Sequence, residues 1–173
     1  MNSQEVLGVD IGGVIIDRVN DDSDTSFFAD GYLESTAVVG AFATLARLNA
    51  ERFHGEIYLV SKCGRRIEAR TREWLRHHGF WEAVGLPDDQ VRFCRRREEK
   101  ALIAADLGIT HFIDDRLEVL SYLTGVPHRY LFNPVASEIA QFRRHLPRVR
   151  RVANWRAVLA ELLPSDKKST ARI

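Results

Sequence analysis

The sequence predicts an α/β fold of three layers, a central parallel sheet with helices on both faces. Short apolar, β-branched runs alternate with longer segments of helical period. Several of those runs end in a single polar residue followed by small or turn-forming residues, as strands do where they leave a buried sheet. The 173 residues, 45% hydrophobic and 28% charged, suffice for one sizeable core.

Strands are expected near 5–10, 56–61, 90–94, 111–114, 128–132 and 149–152. Helices are expected near 36–50, 65–78, 97–107, 116–123, 135–145 and 154–163. In the first helix Val38, Phe42, Leu45 and Leu48 recur at three- and four-residue spacing and form a packing face. Trp74, Leu75, Trp81 and Trp155 read as helix–sheet packing. Residues 17–35 break the rhythm: they are acidic, carry Phe27, Phe28 and Tyr32, and follow the first strand, so they read as a flap over its tip. The expected organisation is one domain over 1–163 and a frayed, disordered tail over 164–173.

Twenty-five basic and twenty-four acidic residues, net charge +1, argue against a bulk nucleic-acid coat protein. A local basic rim remains open, because 65–76, 92–97 and 143–151 are rich in arginine, and contact with nucleic acid is not excluded. Cys63 and Cys94 make no disulfide framework. The absence of a signal-like segment and of any run of about 18 apolar residues points to a cytoplasmic protein without a membrane partner.

The chemistry concentrates at strand ends. Val6-Leu7-Gly8-Val9 ends in Asp10, then Ile11-Gly12-Gly13. Taken alone, Asp10 is either a turn carboxylate or a nucleophile and cation ligand. Ile57-Tyr58-Leu59-Val60 ends in Ser61, then Lys62. His111-Phe112-Ile113 ends in Asp114-Asp115, and Lys100 opens a helix after the Val91–Cys94 strand. Parallel strands would bring all four signals to one edge. Three carboxylates there repel one another unless a hard cation sits between them, which suits Mg²⁺. A hydroxyl and an ammonium beside them suit phosphoryl oxygens.

In that order, Asp10-Ile11-Gly12-Gly13-Val14-Ile15, Ser61, Lys100 and Asp114-Asp115 resemble the four motifs of the haloacid dehalogenase-like (HAD) hydrolase superfamily, over residues 5–132. The resemblance implies a Rossmann-like sheet with a small flap after the first strand. It implies a Mg²⁺-dependent phosphohydrolase acting through an aspartyl-phosphate on Asp10. Asp10, the Gly12 carbonyl, Asp114 and Asp115 would hold the metal; Ser61, Lys62, Lys100 and the Gly13 turn would hold the phosphoryl group. One position departs from the family's phosphatases. They carry a second aspartate two residues after the nucleophile, as acid and then base, and here that residue is Gly12. The loss is worth ~10²–10⁴-fold unless water, substrate or a flap carboxylate (Asp17, Asp21, Asp22 or Asp24) replaces it. The alternative is a weakly active or inactive relative that binds a phosphorylated ligand or protein partner.

The segments between motifs leave no room for a helical cap. An open site suits a phosphorylated small molecule, a macromolecular end, or a homo-oligomer whose neighbour supplies the lid.

Overall fold

The computed structural model of the protein describes residues 4–18 and 31–164. Its sheet has six parallel strands: β1 (Leu7–Val9), β2 (Ile57–Lys62), β3 (Val91–Cys94), β4 (His111–Asp114), β5 (His128–Phe132) and β6 (Arg150–Val152). They lie in the order β3-β2-β1-β4-β5-β6. All six strands fall at the expected places.

Alternation along the strands builds two cores. Leu7, Val9, Leu59, Ile113 and Phe132 face one layer, with α1 (Ala41–Leu48), α2 (Arg65–His77), α3 (Phe80–Val84) and α7 (Trp155–Leu162). Val6, Val60, Phe112 and Leu131 face the other, with α4 (Lys100–Asp106) and α5 (Leu117–Tyr122), and Phe142 of α6 (Ala136–Phe142) packs at its margin. A strand feeds both cores only because its side chains have period two. Gly8 is fixed by this packing: a Cβ there would lie 2.5 Å from the Phe112 ring.

Trp74, Leu75, Trp81 and Trp155 are buried, as expected. The two fully buried indoles also hold the roots of the segment after β1. Trp155 Nε1 donates to the Val14 carbonyl (2.7 Å) and Trp74 Nε1 to that of Ser35 (2.9 Å). His78, at the C-cap of α2, stacks on Trp74 (4.2 Å) and meets the Leu33 carbonyl through Nε2 (2.8 Å).

Three local expectations need correction. The first helix starts at Ala41 rather than near 36, because Ala37 pairs with Ile16 in an antiparallel bridge that closes the root of the flap. Helix α3 escapes a periodicity reading, because its five residues are bounded by Gly79 and Gly85 at positive φ rather than by an apolar repeat. The helix expected over 135–145 ends at Phe142 and tightens into a 3₁₀ turn, Arg143–Arg148, which contains Pro147. Asp21, Asp22, Asp24, Phe27 and Phe28 lie outside the described residues, as does the tail beyond Pro164.

The arginine-rich segments find local roles. Arg150 and Arg151 are exposed on the edge strand β6, where charge discourages further strand pairing. The cluster Arg95–Arg97 sits at a helix start, where positive charge is unfavourable. Glu99 answers it, folding back so that its Oε2 accepts from the Arg95 and Arg96 amides (2.9 and 3.1 Å).

A polar cluster occupies the N-terminal end of the sheet. Arg52 donates to both oxygens of Glu5 (2.8 Å each) and to the Leu162 carbonyl (2.6 Å). Buried His111 meets Arg52 Nη2 through Nε2 (3.2 Å) and the Thr110 hydroxyl through Nδ1 (2.8 Å), and stacks on His128 (4.4 Å). Because Arg52 can only donate, Nε2 accepts and Nδ1 carries the proton. Burial, then the Arg52 and His128 charges, push His111 down to about 4.

Candidate functional site

Strand order reverses between β1 and β4, the switch point at which open parallel sheets bind ligands. Val9 pairs with Leu59 on one side and Ile113 on the other. Asp10 and Asp114 therefore leave neighbouring strands at the same level, and the Asp10 amide donates to the Ile113 carbonyl (2.9 Å). Ser61 is the penultimate residue of β2, on the other flank of β1.

The structure brings Asp10, Asp114, Asp115 and Lys100 together. Lys100, 2% exposed, reaches from the start of α4 and donates from Nζ to Asp10 Oδ1 and Asp114 Oδ2, each at 2.8 Å. Asp114 Oδ1 also accepts from the Arg116 amide (2.9 Å), which fixes its carboxylate plane. Burial pushes Asp114 up, and the Asp10 charge adds to it, while Lys100 opposes both. Burial works against the Lys100 ammonium, but Asp10 and Asp114 more than offset it, so the proton is held more tightly than in water. Lysine at this position is a buried charge paired twice.

Asp115 has a partner that no sequence signal announced. Arg18, at the root of the flap, forms an ion pair with Asp115 Oδ2. Local spacing gives no hint of this pair, since the two residues are joined only by the fold. Asp17, the one of the four candidate flap aspartates among the described residues, is exposed, and its amide donates to the Thr36 carbonyl (2.8 Å).

Donor atoms of Asp10, Asp114 and Asp115 lie within 4.8 Å of one another, all buried. Opposite ligands of one Mg²⁺ stand about 4.2 Å apart, so small shifts would let the three share a cation. Three carboxylates face Lys100 and Arg18. The cluster is one positive charge short, and all its donors are hard oxygens. A hard cation such as Mg²⁺ fits the negative balance and the oxygen donors.

The two glycines of the turn differ. Gly13 has φ +79°, and a Cβ there would meet Asp115 Oδ2 at 2.6 Å and the Arg18 guanidinium at 2.5 Å. It is held as glycine by conformation and by room. Its amide already donates to the Ile16 carbonyl (2.8 Å), so its part in the turn is close approach. A Cβ on Gly12 would meet nothing within 4 Å, and its φ is not left-handed. Gly12 is empty space where a side chain would fit.

Ser61 is buried at the β2 end, and its hydroxyl has no hydrogen-bond partner among the described residues. Lys62 is exposed beyond it. Cys63 and Cys94 lie nearby and are buried. Burial, with Glu68 adding, pushes the Cys63 thiol up to about 11, so it offers no thiolate nucleophile.

No family model matches the chain, and no curated protein matches its sequence. Solved structures do match in fold. A HAD family hydrolase from Deinococcus radiodurans, solved with phosphate and sodium bound, is 16% identical with a TM-score of 0.60, over 91% of this chain and 96% of that one. The D,D-heptose 1,7-bisphosphate phosphatase of Burkholderia thailandensis is 17% identical with a TM-score of 0.56, over 93% and 99%. The deoxy-D-mannose-octulosonate 8-phosphate phosphatase of Haemophilus influenzae, in a cobalt-bound form, is 11% identical with a TM-score of 0.55, over 92% and 86%. The chain thus has the Rossmann-like fold of HAD-family phosphatases, which the motifs implied. Among the described residues no helix is long and apolar enough to cross a membrane.

Proposed function

We propose that the protein is a Mg²⁺-dependent phosphohydrolase of the HAD type, cleaving phosphate esters through a phosphorylated Asp10. The observation that carries this reading is the buried Lys100 bridging Asp10 and Asp114 at the switch point, with Asp115 alongside. A binding module has no need of such an arrangement around one carboxylate.

Asp10, Asp114, Asp115 and the Gly12 carbonyl would hold Mg²⁺, which supplies charge neutralisation for the incoming phosphoryl group. The remaining work falls to the chain. One Asp10 oxygen attacks phosphorus; the phosphorus–oxygen bond to the alcohol breaks, and the alkoxide takes a proton from water. A second water then opens the aspartyl-phosphate, releasing inorganic phosphate and the Asp10 carboxylate. Lys100, hydrogen-bonded to Asp10 Oδ1, would hold phosphoryl oxygens together with the Ser61 hydroxyl. Lys62 stands outside this pair as an exposed charge for the rest of the substrate. Gly13 lets the turn come close. This division suits phosphoryl transfer, where positioning and charge matter most.

Gly12 supplies no acid to the leaving group, so activated leaving groups should be favoured. The test is release of p-nitrophenol from p-nitrophenyl phosphate with Mg²⁺, abolished by chelation and by Asp10→Asn. A phosphate burst followed by a slow steady rate would identify water attack as the limiting step. Failure to turn over any phosphate ester with Mg²⁺ would end the proposal. The structural neighbours named as sugar phosphate phosphatases support a phosphorylated small molecule as the substrate class.

A further inference from the structure

Past the C-terminal end of β2 lies an open groove of about 330 Å³ lined by Arg65, Glu68, Ala69, Arg72 and Arg95. Its walls are the first turns of α2 and the connection from β3 to α4. Arg95 Nη1 donates to the Cys63 carbonyl (2.5 Å), which ties the groove to the segment that carries Ser61. Three guanidinium groups line the groove with a single carboxylate, and two of them pair with it. Glu68 takes Arg72 on one oxygen (3.4 Å) and Arg95 on the other (2.8 Å). Arg72 also lies over the Phe93 ring (4.9 Å). Arg65 has no ion-pair partner among the described residues and opens α2, whose N-cap is Gly64, without a side chain to answer the first-turn amides.

Exposed ion pairs contribute only about 0–1 kcal/mol each, so folding gives little reason for three arginines around one glutamate. The groove is left with two uncompensated positive charges. Guanidinium forks match the oxygen geometry of phosphates and carboxylates. Arg65 is four residues past Ser61, so chain length alone keeps them within about 14 Å.

Building on the phosphohydrolase reading, we infer that this groove is a second anion subsite and that the preferred substrates carry a second anionic group. One phosphate sits on Ser61 and Lys100, and the other group lies on Arg65 and Arg95. Arg72 is held on Phe93 and Glu68, so it shapes the subsite and adds charge.

Two synthetic probes separate the subsite from the chemistry: hexane-1,6-diol bisphosphate and hexyl phosphate, each with Mg²⁺. The bisphosphate should be preferred at least tenfold in kcat/KM, mainly through KM, and the preference should shrink with added salt. Arg65→Glu should bring the ratio to within about twofold of one. That variant places an acid at a helix start, which the dipole favours, so loss of fold is no explanation for the change. Arg95→Gln should lower the ratio by a smaller factor. No preference in the native protein, or one that survives Arg65→Glu, overturns the subsite while leaving the phosphohydrolase standing. If neither probe nor p-nitrophenyl phosphate is hydrolysed, the phosphohydrolase reading fails. Calorimetry of the bisphosphate then decides the groove alone: binding weakened tenfold by Arg65→Glu supports it, and equal binding overturns it.

Discussion

The two ends of the sheet both gather charged side chains, and they treat them in opposite ways. At the N-terminal end Glu5, Arg52, Thr110 and His111 close on themselves. Arg52 spends its fork on Glu5, and the Thr110 hydroxyl accepts from the Val6 amide (2.9 Å) while donating to the Val6 carbonyl (3.1 Å). At the C-terminal end three carboxylates share Lys100 and one flap arginine. The first cluster is satisfied and has nothing left to offer a ligand. The second is short of positive charge, and at the end of the neighbouring strand the Ser61 hydroxyl has no partner among the described residues. A polar cluster marks a site when its charges do not balance, not merely because it is polar and buried.

The largest test of this contrast is Lys100→Met. It leaves Asp10 and Asp114 buried without their counter-ion, which should cost about 3–5 kcal/mol, read by urea unfolding in chelator. Mg²⁺ should recover part of that loss. An unfolding midpoint unchanged by the substitution would remove the idea that this end is held by one lysine.

Next is Gly12→Asp, aimed at the empty space of the turn. If the missing acid limits the rate, turnover of an alkyl phosphate should rise about 10²-fold or more, with a smaller gain for p-nitrophenyl phosphate. Equal effects on both esters would show that leaving-group protonation is not the limitation.

At the closed end, His111 makes stability depend on pH. Its folded pKa lies below the unfolded value, so the unfolded chain binds the extra proton. The contribution is complete above about 6.5 and is lost as pH falls to about 4. Full loss amounts to about 3 kcal/mol. His111→Phe should flatten the urea midpoint against pH in this window; an unchanged slope would assign the acid sensitivity elsewhere.

The smallest effect sharpens the difference in sign. Asp10→Asn removes one of three mutually repelling acids and should raise the metal-free melting temperature by a few degrees, about 1 kcal/mol, while ending activity. Glu5→Gln, the same change at the closed end, should lower it. Parallel shifts in the two variants would erase the distinction.

Much of the site was legible because a buried parallel strand is a nearly pure apolar run, and the residue that ends it stands out. Asp10, Ser61 and Asp114 announce themselves that way, and Lys100 gains meaning from following β3. The closed cluster was illegible for the same reason inverted: His111 begins an apolar run, and nothing nearby names Arg52 or Glu5 as its neighbours. Arg18 was missed because an ion pair across the fold has no period. The Arg65 groove was half legible. The arginines were visible, but which of them Glu68 neutralises depends on α2 lying against the β3 connection.

The place of β1 in the sheet has a consequence for how the protein comes into being. The strand that carries Asp10 is the first of the sheet in the chain, yet both its neighbours, β2 and β4, come roughly fifty and a hundred residues later. Closing such loops brings no reward until the second flank docks. No partial chain that stops short of β4 contains an assembled site, because Asp114 and Asp115 reach Asp10 only when β4 docks on β1.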